Sequence, residues 1–556
     1  MSNPTLDRLA AIRAKITAKL EAATPTPTPT PTPTAPVALP SLTLNENQLE
    51  AVRLAGEGLS FCLTGAAGTG KTASSTAILT ALIDKLPRLT DTQGHKNLLI
   101  GNAAVWVGAF TRRATRNIRE KLPAEVNCCT VHKLLEFAPE ETTYTTAEGE
   151  IKTRLQFMPR RNKLNPLPSE LTTLIFEESS MLGTDLFNLV LDALPNPSLT
   201  QFIFIGDINQ LSPVFGHAIL GFKQSELPCV RLTHVYRQAL ESPIIRLAHH
   251  ILSGKPLTAA DMKSDWQIPD KLTMARFPLN CQPDTAEHLV IDYLENRLLA
   301  DTYNPRADAV LIPFNKKFGT IELGRAIATM LDTHNPEYAG CVEIVAGFER
   351  HYFARGDYVL FDSEYYLIHE IKRNPAYSGT IPARTGAFTR YGSPALSQYA
   401  GGDSGETVDD FMTSLDASID AVIRAADSGV TNTASHVLLL TPVESDDPEN
   451  ERLKISQRGD FAKLTYGYCS TVHKFQGLQA ARVFFIAHKS HNVMLNRELL
   501  YTAVTRAANE LIVICDAATF VTGIQRQQIK GETEHEKAEY FAELARQKLE
   551  EKGLDT

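Results

Sequence analysis

The 556-residue sequence is poor in cysteine and tryptophan and has no excess of basic residues. Its eight cysteines include no Cys-x-x-Cys pair, which argues against a zinc or iron–sulfur site built on close cysteine pairs. A chain of this size needs no disulfide framework, so we expect free thiols in a reducing compartment. Lys and Arg number 55 against 64 Asp and Glu, giving a formal charge of −9. This balance excludes a uniformly basic coat protein for nucleic acid, but not a local basic groove.

Long apolar runs are also missing. None reaches the ~18–20 residues of a membrane-spanning helix, and the N-terminus lacks the basic-then-apolar order of a secretory signal. We therefore expect a soluble intracellular protein. With 43% hydrophobic and 21% charged residues the composition is ordinary for a globular chain, and the length suggests about three or four domains.

The first forty residues have their own organisation. Residues 1–23 are predicted to form a basic amphipathic helix, because leucines and an isoleucine recur at helical spacing. Residues 24–40 are mostly a Thr-Pro alternation, which predicts an extended, semi-rigid linker. A helix held out on a stiff tether suggests a docking element for a partner, such as a replisome or recombination protein. The alternative is a tail without function, or one that folds back on the body.

From about residue 41, apolar strand-like runs alternate with helix-like stretches. This pattern predicts an α/β fold with parallel sheets covered on both faces, and there are enough runs for one sheet before and one after about residue 235. The predicted strands are Leu59–Leu63, Ala104–Ala109, Leu171–Phe176, Gln201–Ile205, Ala309–Ile312, Val437–Leu440, Arg482–Ile486 and Leu511–Cys515.

Three segments depart from this alternation. Residues 139–165 predict a β-hairpin followed by a basic stretch. Residues 341–436 begin with barrel-like strands and continue into a Gly/Ser/Ala-rich stretch, 375–435, which we expect to be a flexible insertion. Residues 526–556 predict a charged C-terminal helix, for which a solvated surface helix is the ordinary interpretation.

The most specific local pattern is Gly65-Ala66-Ala67-Gly68-Thr69-Gly70-Lys71-Thr72, between a predicted strand and a predicted helix. This is the context of a phosphate-binding loop, in which backbone N–H groups surround phosphates at a helix N-terminus. Lys71 is then expected to reach the β- and γ-phosphates, and the Thr72 hydroxyl to ligate Mg²⁺.

Polar residues follow two further predicted strands. Glu177 and Glu178 come after Leu171–Phe176, so one carboxylate can hold the Mg²⁺ shell while the other orients or deprotonates the attacking water. Gln210 follows Gln201–Ile205 and is placed to sense the γ-phosphate or its water. Each group alone could be a solvated turn, but parallel strands bring their ends to one sheet edge.

Taken together, these motifs resemble superfamily 1 helicases, and most of all the 1B branch with RecD and Dda. The resemblance covers roughly residues 41–520, with the motifs in the family's order. The matching segments are the Q motif Leu42–Gln48, motif I Gly65–Thr72, Ia Phe110–Ala114, Ib Cys129–Lys133, II Phe176–Met181, III Gly206–Val214, IV Val235–Gln238, V Thr471–Gly477 and VI Tyr501–Ala507.

The resemblance implies two RecA-like P-loop domains with ATP and Mg²⁺ between them. The implied domain bounds are 41–234 for domain 1A, with a strand-separating pin in 139–165, then 235–340 and 437–525 for domain 2A. The 341–436 insertion is expected to hold a small SH3-like β-barrel, domain 2B. In the ATP site, Gln48 is implied to read the adenine edge, Glu177 to bind the metal with Thr72, and Arg237 and Arg506 to act as arginine fingers.

The DNA side is implied by position in the same motifs. Five basic residues and one acidic residue lie within ten positions: Arg112, Arg113, Arg116, Arg119 and Lys121, with Glu120. This cluster is typical of a segment that contacts phosphates, and also of a solvated helix face. Phe110 and Phe475 are candidate stacking platforms for bases, or alternatively core residues. The implied DNA-binding residues are Phe110, Thr111, Arg112, Arg113, Thr130, His132, Pro213, Thr471, His473 and Phe475.

The implied function is ATP-driven translocation on single-stranded DNA and unwinding of duplex junctions, in replication, recombination or repair, by a monomeric motor in the cytoplasm of a bacterial or phage-infected cell. The 5′→3′ polarity rests on family analogy alone. Motif II departs from the family pattern, because Glu177 stands where Asp is usual. Two alternatives remain open: an RNA helicase of the same superfamily, and a nucleotide-switched loading factor that binds single strands without translocating.

Overall fold

The structure is a computed structural model that describes most of the chain in segments. These are residues 44–83, 85–86, 104–120, 122–123, 126–145, 151–213, 218–235, 241–258, 268, 270–316, 318–334, 341–346, 349–361, 364–377, 433–443 and 451–551. The predicted N-terminal helix, the Thr-Pro linker and most of the 375–435 stretch lie outside them.

Helices in the described part follow the sequence pattern, and several begin at side-chain caps. Asn45 and Gln48 form a capping box at the start of the first helix, and Thr111 and Thr130 cap the third and fourth. The helices are α1 Glu46–Gly56, α2 Lys71–Ile83, α3 Arg112–Arg119, α4 Val131–Leu134, α5 Thr184–Ala193, α6 Ile219–Glu226, α7 Pro243–Leu252, α8 Pro283–Leu299, α9 Thr320–His334, α10 Arg458–Lys463, α11 Arg497–Val504, α12 Ala517–Gln525 and α13 Glu534–Glu551.

Strands form two parallel sheets and several antiparallel elements. Their bounds are β1 Phe61–Gly65, β2 Val105–Gly108, β3 Asn127–Cys128, β4 Ala138–Thr145, β5 Ile151–Met158, β6 Thr173–Phe176, β7 Gln201–Gly206, β8 Cys229–Leu232, β9 Leu272–Arg276, β10 Ala309–Ile312, β11 Val342–Ala346, β12 Glu349–Phe353, β13 Tyr358–Phe361, β14 Glu364–Arg373, β15 Thr433–Pro442, β16 Leu453–Gln457, β17 Thr465–Tyr466, β18 Ser470–Thr471, β19 Ala480–Ala487 and β20 Ala507–Cys515.

The first parallel sheet has the strand order β3-β2-β6-β7-β1-β8. Alternate residues of β1 point to opposite faces, so that Phe61 and Leu63 pack with α1 and α2 while Cys62 packs toward α5 and α6. Both faces are therefore buried, as the continuous apolar runs predict. The register pairs Leu63 with Ile205 and Val107 with Ile175, which brings the ends of β1, β6 and β7 to one edge.

The second parallel sheet has the order β18-β10-β19-β20-β9. Phe485 and Val513 lie on the face covered by α7, α11 and α12, and Phe484 and Ile512 lie on the face covered by α8 and α9. The predicted α/β fold with two parallel sheets is confirmed. The sequence missed β9, a short edge strand with only two buried residues.

The Val437–Leu440 run was predicted to belong to a parallel sheet, and this prediction is wrong. It lies in β15, which pairs antiparallel with β14 and β16 in a five-stranded sheet of order β16-β15-β14-β13-β17. A short apolar run has no feature that specifies the direction of its partner strand. Among the described residues, the edge strands β16 and β17 do not pair with each other, and β11 and β12 form a separate hairpin. The SH3-like barrel therefore stays a prediction.

A second antiparallel hairpin forms a sheet of its own. Strands β4 and β5 pair without a bulge from Ala138 opposite Met158 to Thr145 opposite Ile151. The buried Arg161 guanidinium holds the chain after it by contacting Glu136 at 3.0 Å and the carbonyl of Pro166 at 2.9 Å. This hairpin overlaps the predicted segment 139–165 and begins one residue before it, at Ala138.

All eight cysteines are free, and seven are buried. Burial raises the pKa of the Cys128 thiol to about 12, so this thiol stays protonated and unreactive at neutral pH. Among the residues that the structure places, no helix is long and apolar enough to cross a membrane. The last helix, α13, is not fully solvated as expected, because Ala538 and Phe541 are buried and Phe541 packs against α6.

Candidate nucleotide and nucleic-acid site

The loop between β1 and α2 has the backbone geometry of a phosphate cradle. Gly68 and Gly70 adopt φ values of +82° and +88°, which L side chains rarely adopt. A Cβ at Gly65 would lie 2.4 Å from Thr69 Oγ1, so the loop closes tightly on itself. The Lys71 ammonium donates to the carbonyls of Gly65 at 2.6 Å and Ala66 at 3.2 Å. In this conformation two of the three ammonium N–H groups of Lys71 are directed at the loop itself.

Gln48 lies beside this loop and is fully buried. Its carbonyl oxygen accepts the backbone N–H of Asn45 at 3.0 Å, and its amide nitrogen lies 3.4 Å from the Gly70 carbonyl. In this conformation Gln48 therefore supports the start of α1 and the phosphate loop.

Glu177 and Glu178 follow β6 at the same sheet edge. The Glu177 amide donates to the Gly108 carbonyl at 2.8 Å, which continues the β2–β6 pairing past the strand end. Glu178 has φ +50°, an unfavourable conformation for a residue with a side chain. Its Oε2 is buried and has no hydrogen-bond partner among the described residues. Such a buried, unsatisfied carboxylate oxygen fits a group that receives a water molecule.

The turn after β7 carries Asp207 and Gln210. Asp207 is fully buried, and its Oδ1 accepts both the amide N–H and the side-chain N–H of Asn209 at 3.0 Å. Gln210 is 6% exposed, and its Oε1 is a second buried oxygen without a partner in the described part of the chain. Two unsatisfied oxygens, on Glu178 and Gln210, thus follow neighbouring strands of one sheet.

Helix α11 of the second half inserts its side chains into this edge. The Tyr501 hydroxyl donates to Asp207 Oδ2 at 2.6 Å and accepts the Ala67 N–H of the phosphate loop at 2.7 Å. The Thr502 hydroxyl accepts the Leu211 N–H at 3.0 Å, while the Gln476 amide donates to the Leu211 carbonyl at 2.7 Å. The two halves therefore meet at the loop after β7.

Arg506 follows α11 and is 4% exposed. Its guanidinium donates to the carbonyls of Thr502 at 3.0 Å and Leu478 at 3.1 Å. Burial lowers its pKa, while the carboxylate of Glu178 acts in the opposite direction. Arg506 is thus held within electrostatic reach of Glu178. The other predicted finger, Arg237, lies outside the described residues.

On the predicted DNA side, three aromatic rings form a row. Phe110 is 38% exposed and meets His132 edge-to-face at 5.3 Å, and His132 meets Phe137 at 5.0 Å. Burial lowers the pKa of His132, which favours its neutral ring. Thr111 and Thr130 cap α3 and α4 with their hydroxyls and so fix the two loops from which this row arises. The side chains of Arg112 and Arg113 lie outside the description.

The motif V residues are less accessible than the sequence suggested. Thr471 is 5% exposed, and its hydroxyl accepts the Lys474 N–H at 3.2 Å. His473 and Pro213 are half-buried. Phe475 lies in the core beneath the second sheet at 4% exposure. Of the two alternatives for this ring, stacking platform or core, the structure places it in the core.

Several residues of the site were not singled out from the sequence. Asp207, Tyr501 and Gln476 were quoted inside motifs but given no role. Lys537 and Glu534 of α13 were missed altogether, although the apolar pair Ala538 and Phe541 signals a packed helix face.

Two segments of the chain match known protein families. Residues 48–216 match the AAA domain family, and residues 466–514 match the UvrD-like helicase C-terminal domain. The two matches cover the phosphate loop with the carboxylates, and the segment from β17 to β20 that reaches into the site. These two segments are therefore similar to an AAA domain and to part of a UvrD-like helicase.

Two curated relatives are proteins of the RecD type. The chain is 26% identical over 488 residues to the ATP-dependent RecD2 DNA helicase of Deinococcus radiodurans, covering 87% of this chain and 51% of that protein. It is 36% identical over 88 residues to the RecBCD enzyme subunit RecD of Mycolicibacterium smegmatis, covering 15% and 16%. The chain therefore spans about half the length of RecD2. The resemblance to the RecD type of superfamily 1B is confirmed.

Solved structures are similar at lower identity. A Bacteroides Pif1 helicase in complex with ADP-AlF3 and single-stranded DNA is 15% identical, with a TM-score of 0.43, covering 91% of this chain and 98% of that one. Pif1 helicase from Candida albicans is 14% identical, with a TM-score of 0.41, covering 90% and 100%.

Proposed function

We propose that this chain is an ATP-dependent DNA helicase that moves 5′→3′ along single-stranded DNA and unwinds duplex junctions. The observation that carries the proposal is the contact of Tyr501 with both Ala67 and Asp207. Tyr501 belongs to the second half and contacts both the phosphate loop and the turn Asp207–Gln210, here called the sensing turn. Binding or loss of a nucleotide at the loop would therefore change how the two halves are arranged.

The residues present fit Mg²⁺ with ATP. The backbone of the glycine loop has the conformation of a phosphate-binding loop. The unsatisfied oxygens of Glu178 and Gln210 can each accept a hydrogen bond from a water molecule. Thr72 at the start of α2 and Glu177 after β6 would hold the metal, with Glu177 reaching it directly or through water. When bound, the ion would neutralise charge on the β- and γ-phosphates. Lys71 would release the loop carbonyls and contact the same phosphates.

Roles in hydrolysis follow from burial and position. Glu178 Oε2 accepts the proton of the attacking water, and Gln210 Oε1 orients that water. Arg506 neutralises charge on the transferring phosphoryl oxygens after it gives up its hydrogen bonds to Thr502 and Leu478. Arg237 is proposed as the second finger on the motif resemblance alone.

The DNA path is proposed to cross Phe110, Thr111, Thr130 and His132, because these residues follow the neighbouring strands β2 and β3 at one edge of the first sheet. The Phe110 ring offers an open face for a base. The β4–β5 hairpin is proposed as the strand-separating pin. We further propose a monomeric motor in the cytoplasm, acting in replication, recombination or repair, with residues 1–23 docking a partner.

ATP hydrolysis measured with and without single-stranded DNA tests the proposal. We expect strong stimulation in the parent and near-zero turnover in Glu178→Gln, with ATP binding retained because the substitution removes only the proton acceptor. Asp185→Asn, an exposed carboxylate at the start of α5, is the matched control and should behave as the parent. A parent that hydrolyses no ATP contradicts the proposal.

Polarity and nucleic-acid type need their own substrates. A duplex with a 5′ tail should be unwound and one with a 3′ tail should not. Unwinding only from the 3′ tail would contradict the polarity. Stronger stimulation of ATP hydrolysis by RNA than by DNA would favour an RNA helicase, and ATP hydrolysis without strand displacement would favour a loading factor.

A further inference from the structure

Residues 526–544, here called the strap, join the second half of the molecule to the first. At its start the strap is tied to α11. The Arg497 amide donates to the Arg526 carbonyl at 2.8 Å, and the Glu498 carboxylate accepts the amides of Gln528 and Ile529 at 3.0 and 3.2 Å. The buried Arg497 guanidinium also contacts Glu532 at 3.1 Å. These contacts fix the strap to the helix that carries Tyr501.

The strap then turns sharply at Gly531. This glycine has φ +122°, and a Cβ there would lie 2.7 Å from the Lys537 amide nitrogen. Only glycine fits such a turn without strain. The turn directs the start of α13 toward the first sheet.

Two charged side chains of α13 reach the first sheet behind the phosphate loop. Glu534 accepts the Thr64 hydroxyl at 3.0 Å and lies 3.6 Å from Arg231. Thr64 is the residue immediately before Gly65, where the phosphate loop begins. Lys537 is 3% exposed, and its ammonium donates to Asn209 Oδ1 at 2.7 Å. Both contacts are therefore made to residues next to the proposed ATP site: Thr64 at the end of β1, and Asn209 in the turn after β7.

Apolar packing holds the helix in this position. Phe541 is 2% exposed and lies edge-to-face with Phe222 at 5.8 Å between ring centroids. It packs with Ile208, Ala218 and Ile529 in one cluster. A Cβ at Gly221 would lie 2.2 Å from the Phe541 ring, so α6 and α13 approach as closely as a glycine allows.

A continuous series of hydrogen bonds leads from Lys537 to the phosphate loop. Lys537 holds Asn209, Asn209 donates twice to Asp207, and Asp207 accepts the Tyr501 hydroxyl, which binds the Ala67 N–H. The negative charges of Glu498 and Asp207 favour the ammonium form of Lys537, against the burial that lowers its pKa. A cation buried beside the sensing turn is costly unless it is paired, which argues for a specific role.

We propose that Lys537 and Glu534 are positioning residues for ATP hydrolysis, which hold the Asp207–Gln210 turn and the strand end at Thr64 in the arrangement that hydrolysis requires. This inference rests on the proposed ATPase function. It makes the strap a second physical connection by which the half that carries Arg506 controls the half that carries Glu178.

The test compares Lys537→Met, which keeps the length of the side chain without its charge, with Lys537→Arg and Glu534→Gln in the full chain. Glu539→Gln is the matched control, since Glu539 is a 65% exposed carboxylate on the same helix. ATP hydrolysis is measured against ATP concentration at saturating single-stranded DNA. Hydrogen–deuterium exchange of peptides covering 205–212 and the thermal midpoint are measured in parallel.

We expect Lys537→Met to lower kcat by about tenfold, with KM for ATP changed by less than about threefold, because the lost charged hydrogen bond acts directly on the turn and reaches the phosphate loop only through Asp207 and Tyr501. Exchange in 205–212 should rise. Lys537→Arg should recover most of kcat, Glu534→Gln should lower it by roughly threefold to tenfold, and Glu539→Gln should match the parent.

Parental kcat and parental exchange in Lys537→Met overturn the inference while leaving the proposed function intact. So does a fall in kcat that Lys537→Arg fails to recover, or one matched by the unfolded fraction at the assay temperature. If Lys537→Met does not fold, the isosteric Glu534→Gln decides: parental kcat in that variant overturns the inference. A parent without ATPase activity overturns both the inference and the proposed function.

Discussion

Tyr501 and Asp207 face each other across the two halves of the molecule, with the Tyr501 hydroxyl 2.6 Å from the Asp207 carboxylate. Both residues are fully buried. Burial and the neighbouring Asp207 charge raise the pKa of Tyr501, so its hydroxyl keeps its proton and remains a donor. Because the same oxygen accepts the Ala67 N–H at 2.7 Å, one hydroxyl connects α11, the turn after β7 and the loop between β1 and α2.

Tyr501→Phe is expected to lower kcat for ATP hydrolysis by about tenfold, because a buried Asp207 charge loses a donor and the phosphate loop loses a contact. Tyr303→Phe is the matched control. Tyr303 is also fully buried, but its hydroxyl has no partner among the described residues. Steady-state ATPase assays of both variants check the prediction, which fails if the two variants have equal activity.

Much of this site was predictable because its chemistry is local in sequence. The phosphate loop needs eight consecutive residues, Gly65–Thr72, and the carboxylates Glu177 and Glu178 directly follow a buried strand. The two parallel sheets were predictable since strands covered on both faces are continuous apolar runs. These local patterns predict where a strand lies and which polar residue follows it.

Contacts between distant segments could not be predicted in the same way. The run Val437–Leu440 is as apolar as a parallel strand, yet it pairs antiparallel in the insertion. Lys537 sits in a helix of mixed charge that is typical of solvated surfaces. Its burial depends on Asn209, 328 residues away in sequence, and on the small size of Gly221, which no local pattern indicates.

Gly221→Ala should destabilise the packing of α13 on α6. Its added methyl group would fall 2.2 Å from the Phe541 ring, and overpacking of this kind costs about 1–3 kcal/mol. Thermal and urea unfolding measure the loss. In the double variant Gly221→Ala with Phe541→Leu, the smaller side chain makes room, so the two effects should be less than additive. Full additivity would show that the two residues do not contact.

His491 should make the second half sensitive to acid. Burial lowers its pKa to about 4, while its unfolded value is about 6.5. Its Nε2 lies 2.9 Å from the Phe318 carbonyl, and its Nδ1 accepts the His488 amide, so the neutral ring is held in place. Between these two pKa values the unfolded chain binds the additional proton. Stability contributed by the neutral ring is therefore present above about pH 6.5 and is lost as pH falls toward 4.

His491→Gln keeps a donor toward Phe318 and removes this titration. We expect the variant to be less stable than the parent at pH 7, but to lose less stability between pH 6.5 and 4.5. Chemical unfolding at several pH values gives the comparison. Parallel pH dependences for the parent and the variant would exclude His491 as the source and would point to His488, whose pKa burial also lowers.

Substitutions at Phe110 and Phe475 distinguish a role in DNA contact from a role in core packing. Phe110→Ala is expected to weaken binding of a fluorescent single strand by about tenfold at fixed salt, since stacking of one base on an aromatic ring contributes about 1–3 kcal/mol. The thermal midpoint should change little, because the ring is 38% exposed. Leu199→Ala, at a 79% exposed position, is the control for loss of surface apolar area.

Phe475→Leu should behave in the opposite way. The ring lies in the core with Leu311 and Phe485, so its loss should lower the free energy of unfolding by about 1–2 kcal/mol. Affinity for the single strand should fall less than in Phe110→Ala, because no base can reach a ring that is 4% exposed. If Phe475→Leu weakened DNA binding more than Phe110→Ala while leaving stability unchanged, the motif V loop would have to open on DNA and expose this ring. The stacking role first inferred from the sequence would then hold for the DNA-bound protein.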